Sequence, residues 1–272
     1  MSKYYYLIAG LPNIALEDSK LAYSVGDFRE EVDPMLSAGD KKLVDLFYLK
    51  YDNANAVAFV EGSEKEPDPR GRVTREELDA LYRALRNEEK IPKNAHIPPY
   101  LVEFFQAYLA EEMRDDKSER LYISWEDRLS ALYYEYAMRC KNAFVAGWFE
   151  LNLNINNVLT AITCRAYGLD KADYIVGRNE VAECVRASNA RDFGLGDSLE
   201  YLPELQRLSE ETDLIAREKR IDLRTLAACR FAVIGAATGE TLLQYGLTAD
   251  LCPGVYTSEG LAGELCGQVG PG

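Results

Sequence analysis

Histidine is nearly missing from this chain: His96 is the single one in 272 residues. That excludes most zinc, copper and iron sites that depend on imidazole clusters. Any Ser-His or Cys-His nucleophile pair would have to use that one ring. His96 sits in Ala-His-Ile-Pro-Pro with no partner in the neighbouring sequence, so it reads as a loop residue without a catalytic role. Positive charge is also short, with Lys+Arg 31 against Asp+Glu 45 and a net charge of −14. Such a surface argues against DNA, RNA or an anionic membrane face as the main partner, and favours a basic protein surface.

Long hydrophobic runs are absent too. The longest, Leu226 to Ala237, is interrupted by Arg230 and falls well short of the ~20 residues a membrane span needs. The opening Met1-Ser-Lys-Tyr-Tyr-Tyr-Leu-Ile-Ala-Gly superficially resembles a secretion signal. Its apolar stretch is short and tyrosine-laden, and no lipobox cysteine follows Gly10. None of the six cysteines (Cys140, Cys164, Cys184, Cys229, Cys252, Cys266) forms a C-x-x-C pair, so buried free thiols in a reducing cytosol are expected. From these absences a soluble cytoplasmic protein is expected. With 47% apolar and 28% charged residues, the chain has the composition of one large globular domain or two small ones.

What is present is mostly helical punctuation. Residues 2–12 are too short and apolar to assign, and read as a buried strand or an extended plug. From Ser24 onward Phe28, Val32 and Leu36 recur at helical spacing. Asp40 reads as a helix N-cap before Leu43, Leu46, Phe47 and Tyr51. After a linker over 61–72, Thr74 and Glu77 make a capping box, and Pro98-Pro99 suits the first turn of another helix. Past Ser124 and Asp127, a stripe runs from Leu129 through Tyr133, Cys140, Phe144 and Trp148 to Leu151. It predicts one helix over 125–151, about 40 Å long. A further helix is expected to end at Tyr167 with Gly168 as its stop. Asn179 starts another, and Leu199 to Arg220 is helical again. No alternating strand is evident, so the expected class is all-α, built from long antiparallel helices.

Composition changes near residue 223. Residues 223–272 hold 6 of the 76 charged residues, no lysine and 9 of the 19 glycines. This divides the chain into a helical body, 1–222, and an atypical tail, 223–272. The tail reads either as a packed segment rich in small residues or as a stretch foreign to the rest, such as a frameshifted end. Within it, Gly235-Ala-Ala-Thr-Gly239-Glu is one residue short of a phosphate loop. Glu240 stands where the phosphate-binding lysine belongs, so nucleotide binding is rejected there. Gly194-Leu-Gly196 lacks a preceding strand and reads as a turn. Carboxylate neighbours such as Glu30-Glu31 point apart on a helix and read as solvated faces. The chain carries 18 tyrosines. They suit helix seams or protein interfaces, and Tyr4, Tyr5 and Trp148 are the candidate interface aromatics.

One short unit recurs. Asp52-Asn-Ala-Asn55 precedes Ala-Val, and Asn154-Ile-Asn-Asn157 precedes Val-Leu; Asp222-Leu-Arg-Thr225 is a weaker third copy. Asp or Asn at these places can accept from free amides at a helix start, so both pairs are expected to open helices, as ordinary caps or as a repeat. Lys3-Tyr-Tyr-Tyr-Leu-Ile-Ala-Gly-Leu-Pro12 and the block from Asn154 to Gly168 resemble an uncharacterised bacterial family encoded among V-type ATPase subunits. That family is similar to the C-type subunit of the A/V-type ATPase, the d-type subunit of eukaryotes. C-type subunits start helices in three-fold units with a polar residue, two others, Asn and an aliphatic residue, followed by Arg, a small residue and Gly. Asp52/Asn55 and Asn154/Asn157, with Arg165 and Gly168, match that pattern. The tail departs from it, leaving the third unit damaged or absent.

The resemblance implies a helical funnel, a cytoplasmic protein held peripherally at the inner membrane through protein partners. Those partners would be the central-shaft and membrane-ring subunits. The work would be rotary coupling in proton or other ion transport, with no catalysis, cofactor or metal. The −14 charge suits an acidic socket for a basic shaft end. A freestanding acidic adaptor for another basic protein is the alternative. An enzyme using converging buried carboxylates is the third reading, and no such pair is apparent in the sequence.

Overall fold

Capping chemistry decides where the helices begin. In the computed structural model, residues 23–91, 96–114, 124–196, 198–227, 229–233, 235–244 and 246–257 are described, together with residues 4, 7, 10, 260–261 and 263–265. Tyr5 and most of 2–12 lie outside the described residues, and with them the strand-or-plug reading. Helix α1 (Val25–Val32) opens on a capping box between Ser24 and Asp27 and passes into a 3-10 turn, Asp33–Met35. Helix α2 (Ala38–Val60) is capped by Ser37, not by Asp40 as expected. Asp40 instead stands one turn in and accepts from the Ser37 hydroxyl at 2.6 Å. Both residue types cap helices, so spacing alone did not rank them.

Helix α3 (Arg75–Arg86) starts on the expected Thr74/Glu77 box, and α4 (Pro99–Glu112) starts on its proline. Helix α5 (Trp125–Met138) starts on Ser124. The single rod expected over 125–151 is broken: α5 ends at Met138, and Asn142 caps a new helix, α6 (Ala143–Tyr167). The apolar spacing stays in step across the break, which hid it. Past the turn the buried face is Val145, Phe149 and Leu153, while Phe144 on the expected stripe is 63% exposed. Helix α6 stops at Gly168 in the left-handed region, φ 67°, where glycine pays no Cβ penalty. Helix α7 (Glu180–Ala187) is capped by Asn179 as expected.

The chain divides into two compact units, residues 1–198 and 199–272. In the first, α2, α3, α4 and α5 pack round one core, and α6 and α7 extend the packing from α5. Leu78, Leu81, Leu101, Phe104, Phe105 and Leu129 are essentially fully buried there, each contributing about 1.5–3 kcal/mol. Tyr133 reaches through the core to donate to the Leu46 carbonyl at 2.8 Å.

The second unit contains α8 (Leu202–Leu208), α9 (Leu214–Ala227) and α10 (Ala236–Gln244). The expected helix over 199–220 is therefore interrupted between Leu208 and Leu214. The compositional break at 222–223 falls inside α9 rather than between elements. In the failed phosphate loop, Gly235 stands just before α10 and Ala236 to Glu240 form its start. Among the described residues there is no strand, only a lone parallel bridge between Ala232 and Leu251. The protein is all-α. No helix among the described residues is long and apolar enough to cross a membrane.

Candidate functional site

The two Asp/Asn units sit inside long helices, not at their starts. Asp52 and Asn55 lie in the second half of α2, and Asn154 and Asn157 in the middle of α6. Their intrahelical amides are already satisfied, so neither pair serves as a cap. All four side chains are nonetheless buried, at 1%, 7%, 7% and 2% exposure. Buried polar groups in a helix interior need partners from elsewhere, and each pair finds them in the loop that follows.

Asn157 grips Val176 by both main-chain groups: its Nδ2 donates to the Val176 carbonyl at 2.7 Å, and its Oδ1 accepts from the Val176 amide at 2.9 Å. Asn55 does the same to Asp68, donating to its carbonyl at 3.1 Å and accepting from its amide at 2.7 Å. One amide side chain thus stands in for a strand edge and straps the loop to the helix. The first member of each unit secures the strap further along. Asp52 Oδ1 accepts from the amides of Arg72 and Val73 at 2.6 and 2.8 Å. Asn154 Oδ1 accepts from Asn179 Nδ2 at 2.7 Å, just where Asn179 caps α7.

Close approach is built in by glycine. A Cβ on Gly71 would lie 2.7 Å from Asp52 Oδ1 and 2.8 Å from Asn55 Nδ2. Gly177, at φ +81°, leaves no room either, since a Cβ there would meet Leu153 Cδ2 at 2.9 Å. The third copy lacks the device: Thr225, though buried, donates to Ile221 of its own helix.

Charge supports the first strap. Arg72 bridges Asp33 and Asp45, each at 2.6 Å, and Lys41 joins Asp33 at 2.5 Å. Burial pushes the Asp52 carboxyl above its ordinary value, outweighing the Val73 and Arg72 amides and the nearby Arg29 and Arg72 guanidinium groups that favour the anion. A groove of about 830 Å³ runs between this strap and the start of α1, lined by Arg29, Arg70 and Arg72. All three are engaged internally: Arg29 donates to the Arg70 carbonyl, Arg70 pairs with Asp68, and Arg72 with its two aspartates. The groove holds the strap together and presents no spare cation among the described residues.

The remaining candidates play separate parts. Arg165, near the end of α6, donates to the Ala190 carbonyl at 2.7 Å and lies over the Phe193 ring; it braces the segment after α7. Gly168 terminates the same helix. Tyr4 donates to Asp40 at 2.6 Å and accepts from the Ser37 amide at 2.8 Å, so its hydroxyl is tied into the start of α2. Trp148 is half-buried on the outward side of α6, its ring 6.4 Å from that of the exposed Phe144. His96 Nδ1 lies 3.8 Å from Glu77, a partner the sequence did not announce. Among the cysteines Cys164 is buried and Cys252 exposed; no described cysteine is paired in a disulfide. Among the described residues no three His, Cys, Asp or Glu side chains are grouped to hold a metal ion.

Reading the sequence missed the gripped residues, Asp68 and Val176, and the glycines beside them. Gly71 between two arginines and Gly177 three residues before a capped helix were the available signals.

Two family matches divide the chain. Residues 205–272 match uroporphyrinogen-III synthase HemD, so the compositionally atypical tail has a likeness of its own, overlapping the other match over 205–233. Neither a curated protein nor a solved structure matches the chain. The other match spans residues 1–233 and takes in both strapped units, α1 to α9 and the whole of the first compact unit: the chain belongs to the family described as Protein of unknown function (DUF2764).

Proposed function

We propose that this protein is a non-catalytic component of a V-type ATPase, like its C-type subunit, seated between the central shaft and the membrane ion-carrying ring on the cytoplasmic side. The observation that carries the reading is the twofold strap. Asp52/Asn55 and Asn154/Asn157 match the C-type pattern in residue type and spacing but stand inside helices rather than at helix starts, and each pair locks a long helix to its following loop. A protein that transmits torque has to resist shear between neighbouring helices. Buried, doubly bonded straps supply that stiffness better than exposed ion pairs, which contribute about 0–1 kcal/mol each. The net charge of −14 suits a basic shaft end, since opposite potentials steer and register docking.

Affinity capture of the full chain from its own cells, followed by mass spectrometry, tests the reading. Recovery of shaft and ring subunits, with no ATP turnover by the isolated chain, is expected. Recovery of a different basic protein would favour the freestanding adaptor instead, and recovery of no ATPase subunit would reject the coupling role. The HemD likeness over 205–272 supports a separate origin for the tail. Resequencing the gene checks for a frameshift; a tail found in frame would dismiss a reading-frame error as its cause.

A further inference from the structure

The second unit places three arginines in one groove. On α9, Arg220 and Arg224 are four residues apart and therefore share a face, and Arg207 comes from α8. All three line a groove of about 620 Å³ whose apolar part is formed by Leu208, Leu223 and Leu247. That volume lies within the range of small-molecule sites. Leu208 and Leu247 are buried, at 4% and 7% exposure, so the groove has an apolar floor beneath a cationic rim.

The charges in the rim are unevenly matched. Glu204 is the only carboxylate in the groove lining, and it faces Arg224 at 3.0 Å. Arg220 pairs with Glu211 at 3.1 Å, with 59% of its own side chain exposed. Arg207 has no carboxylate partner among the described residues. Arg224 Nε is buried without a hydrogen bond of good geometry, despite the nearby Glu204. The Arg220–Glu211 pair, with its arginine largely exposed, holds weakly. A planar carboxylate or a phosphate offers a guanidinium two parallel acceptors and makes a stronger, charge-assisted contact.

From this arrangement we propose that the groove binds a small organic anion, with a carboxylate or phosphate head held by Arg207, Arg220 and Arg224 and an apolar body laid on Leu208, Leu223 and Leu247. Glu204 occupies the anion's place on Arg224 and competes with it. The proposal is independent of any role in an ATPase, because each of its residues lies in the second unit.

Calorimetric titration of the full chain tests it, with phenyl phosphate, benzoate and inorganic phosphate as probes. At least one aromatic probe binds saturably and more tightly than inorganic phosphate, and the tighter of the two aromatic probes identifies the head group. Arg207→Ala and Arg220→Ala, both at exposed positions, each weaken binding by about tenfold, equivalent to about 1.4 kcal/mol. Glu204→Gln tightens it several-fold, a result that a merely structural glutamate would not give. Arg139→Ala, in the first unit, leaves it unchanged. Thermal melts of each variant establish that the fold is retained. Absence of saturable binding by both aromatic probes, equal affinity in Arg207→Ala, or no gain in Glu204→Gln would each overturn the proposal. Inorganic phosphate binding as tightly as phenyl phosphate would overturn the apolar part of the site.

Discussion

Replacing Asn157 with alanine separates a strap from an ordinary cap. As a helix cap, Asn157 would be worth about 1 kcal/mol. In the structure its amide makes two hydrogen bonds to Val176, and the residue itself is 2% exposed. Two hydrogen bonds at about 1 kcal/mol each are lost, and the amide and carbonyl of Val176 are left to find other partners, each costing about 1–3 kcal/mol if none arrives. Val176 is only partly buried, so water reaches part of the gap and the larger figure is not attained. The expected loss is about 2–4 kcal/mol. Urea unfolding of the parent and Asn157→Ala, compared at unchanged slope, measures it. Asn156→Ala is the control: its amide reaches the Tyr134 hydroxyl at 3.1 Å on the exposed side, and it costs no more than about 1 kcal/mol. A loss at Asn157 no greater than at Asn156 would refute the strap as a source of stability.

Four further outcomes are expected. Gly177→Ala costs more than Gly168→Ala in the same denaturation assay, because both have positive φ but only Gly177 also faces a 2.9 Å collision with Leu153. Phe149→Ala costs about 3–5 kcal/mol as a core truncation, whereas Trp148→Ala, half-buried and facing outward, costs clearly less; equal losses would put Trp148 in the core. Burial raises the Asp52 carboxyl above its ordinary 3.8, so as pH rises the unfolded chain releases this proton first, and stability falls from pH 3.8 up through the raised value. Asp52→Asn, which gives the first unit the residue already present at Asn154, removes that fall; an unchanged pH–stability profile would contradict it. Gly71→Ala thrusts a methyl group at Asp52 and Asn55 and loosens the first strap, read as faster proteolysis between Glu61 and Arg72 than in the parent.

Much of the helical punctuation was legible because caps are local. Thr74 with Glu77, Ser124, Asn179 and Gly168 each act within a turn of their own position, and each is where the residue type placed it. Ser37 against Asp40 was ambiguous because both can cap and they lie three residues apart. The break at Arg139–Asn142 was illegible because it preserved the apolar spacing while rotating the following helix, which exchanged Phe144 and Trp148 for Val145, Phe149 and Leu153 on the inner face. The recurring Asp/Asn units were visible as a pattern, but their work was not. Their partners lie 13 and 19 residues away along irregular chain, and no periodicity relates those distances.

An amide that seizes only peptide groups is indifferent to the identity of its quarry. Asp68 and Val176 share no chemistry, yet they are held alike. Substitution at either position leaves those main-chain bonds in place, although a change at Asp68 also removes its ion pair with Arg70, whereas replacing either gripping asparagine removes the bonds themselves. Distant cousins of this protein should be sought by the inward-facing asparagine of a long helix, and the loops it catches should be allowed to vary in both spelling and length.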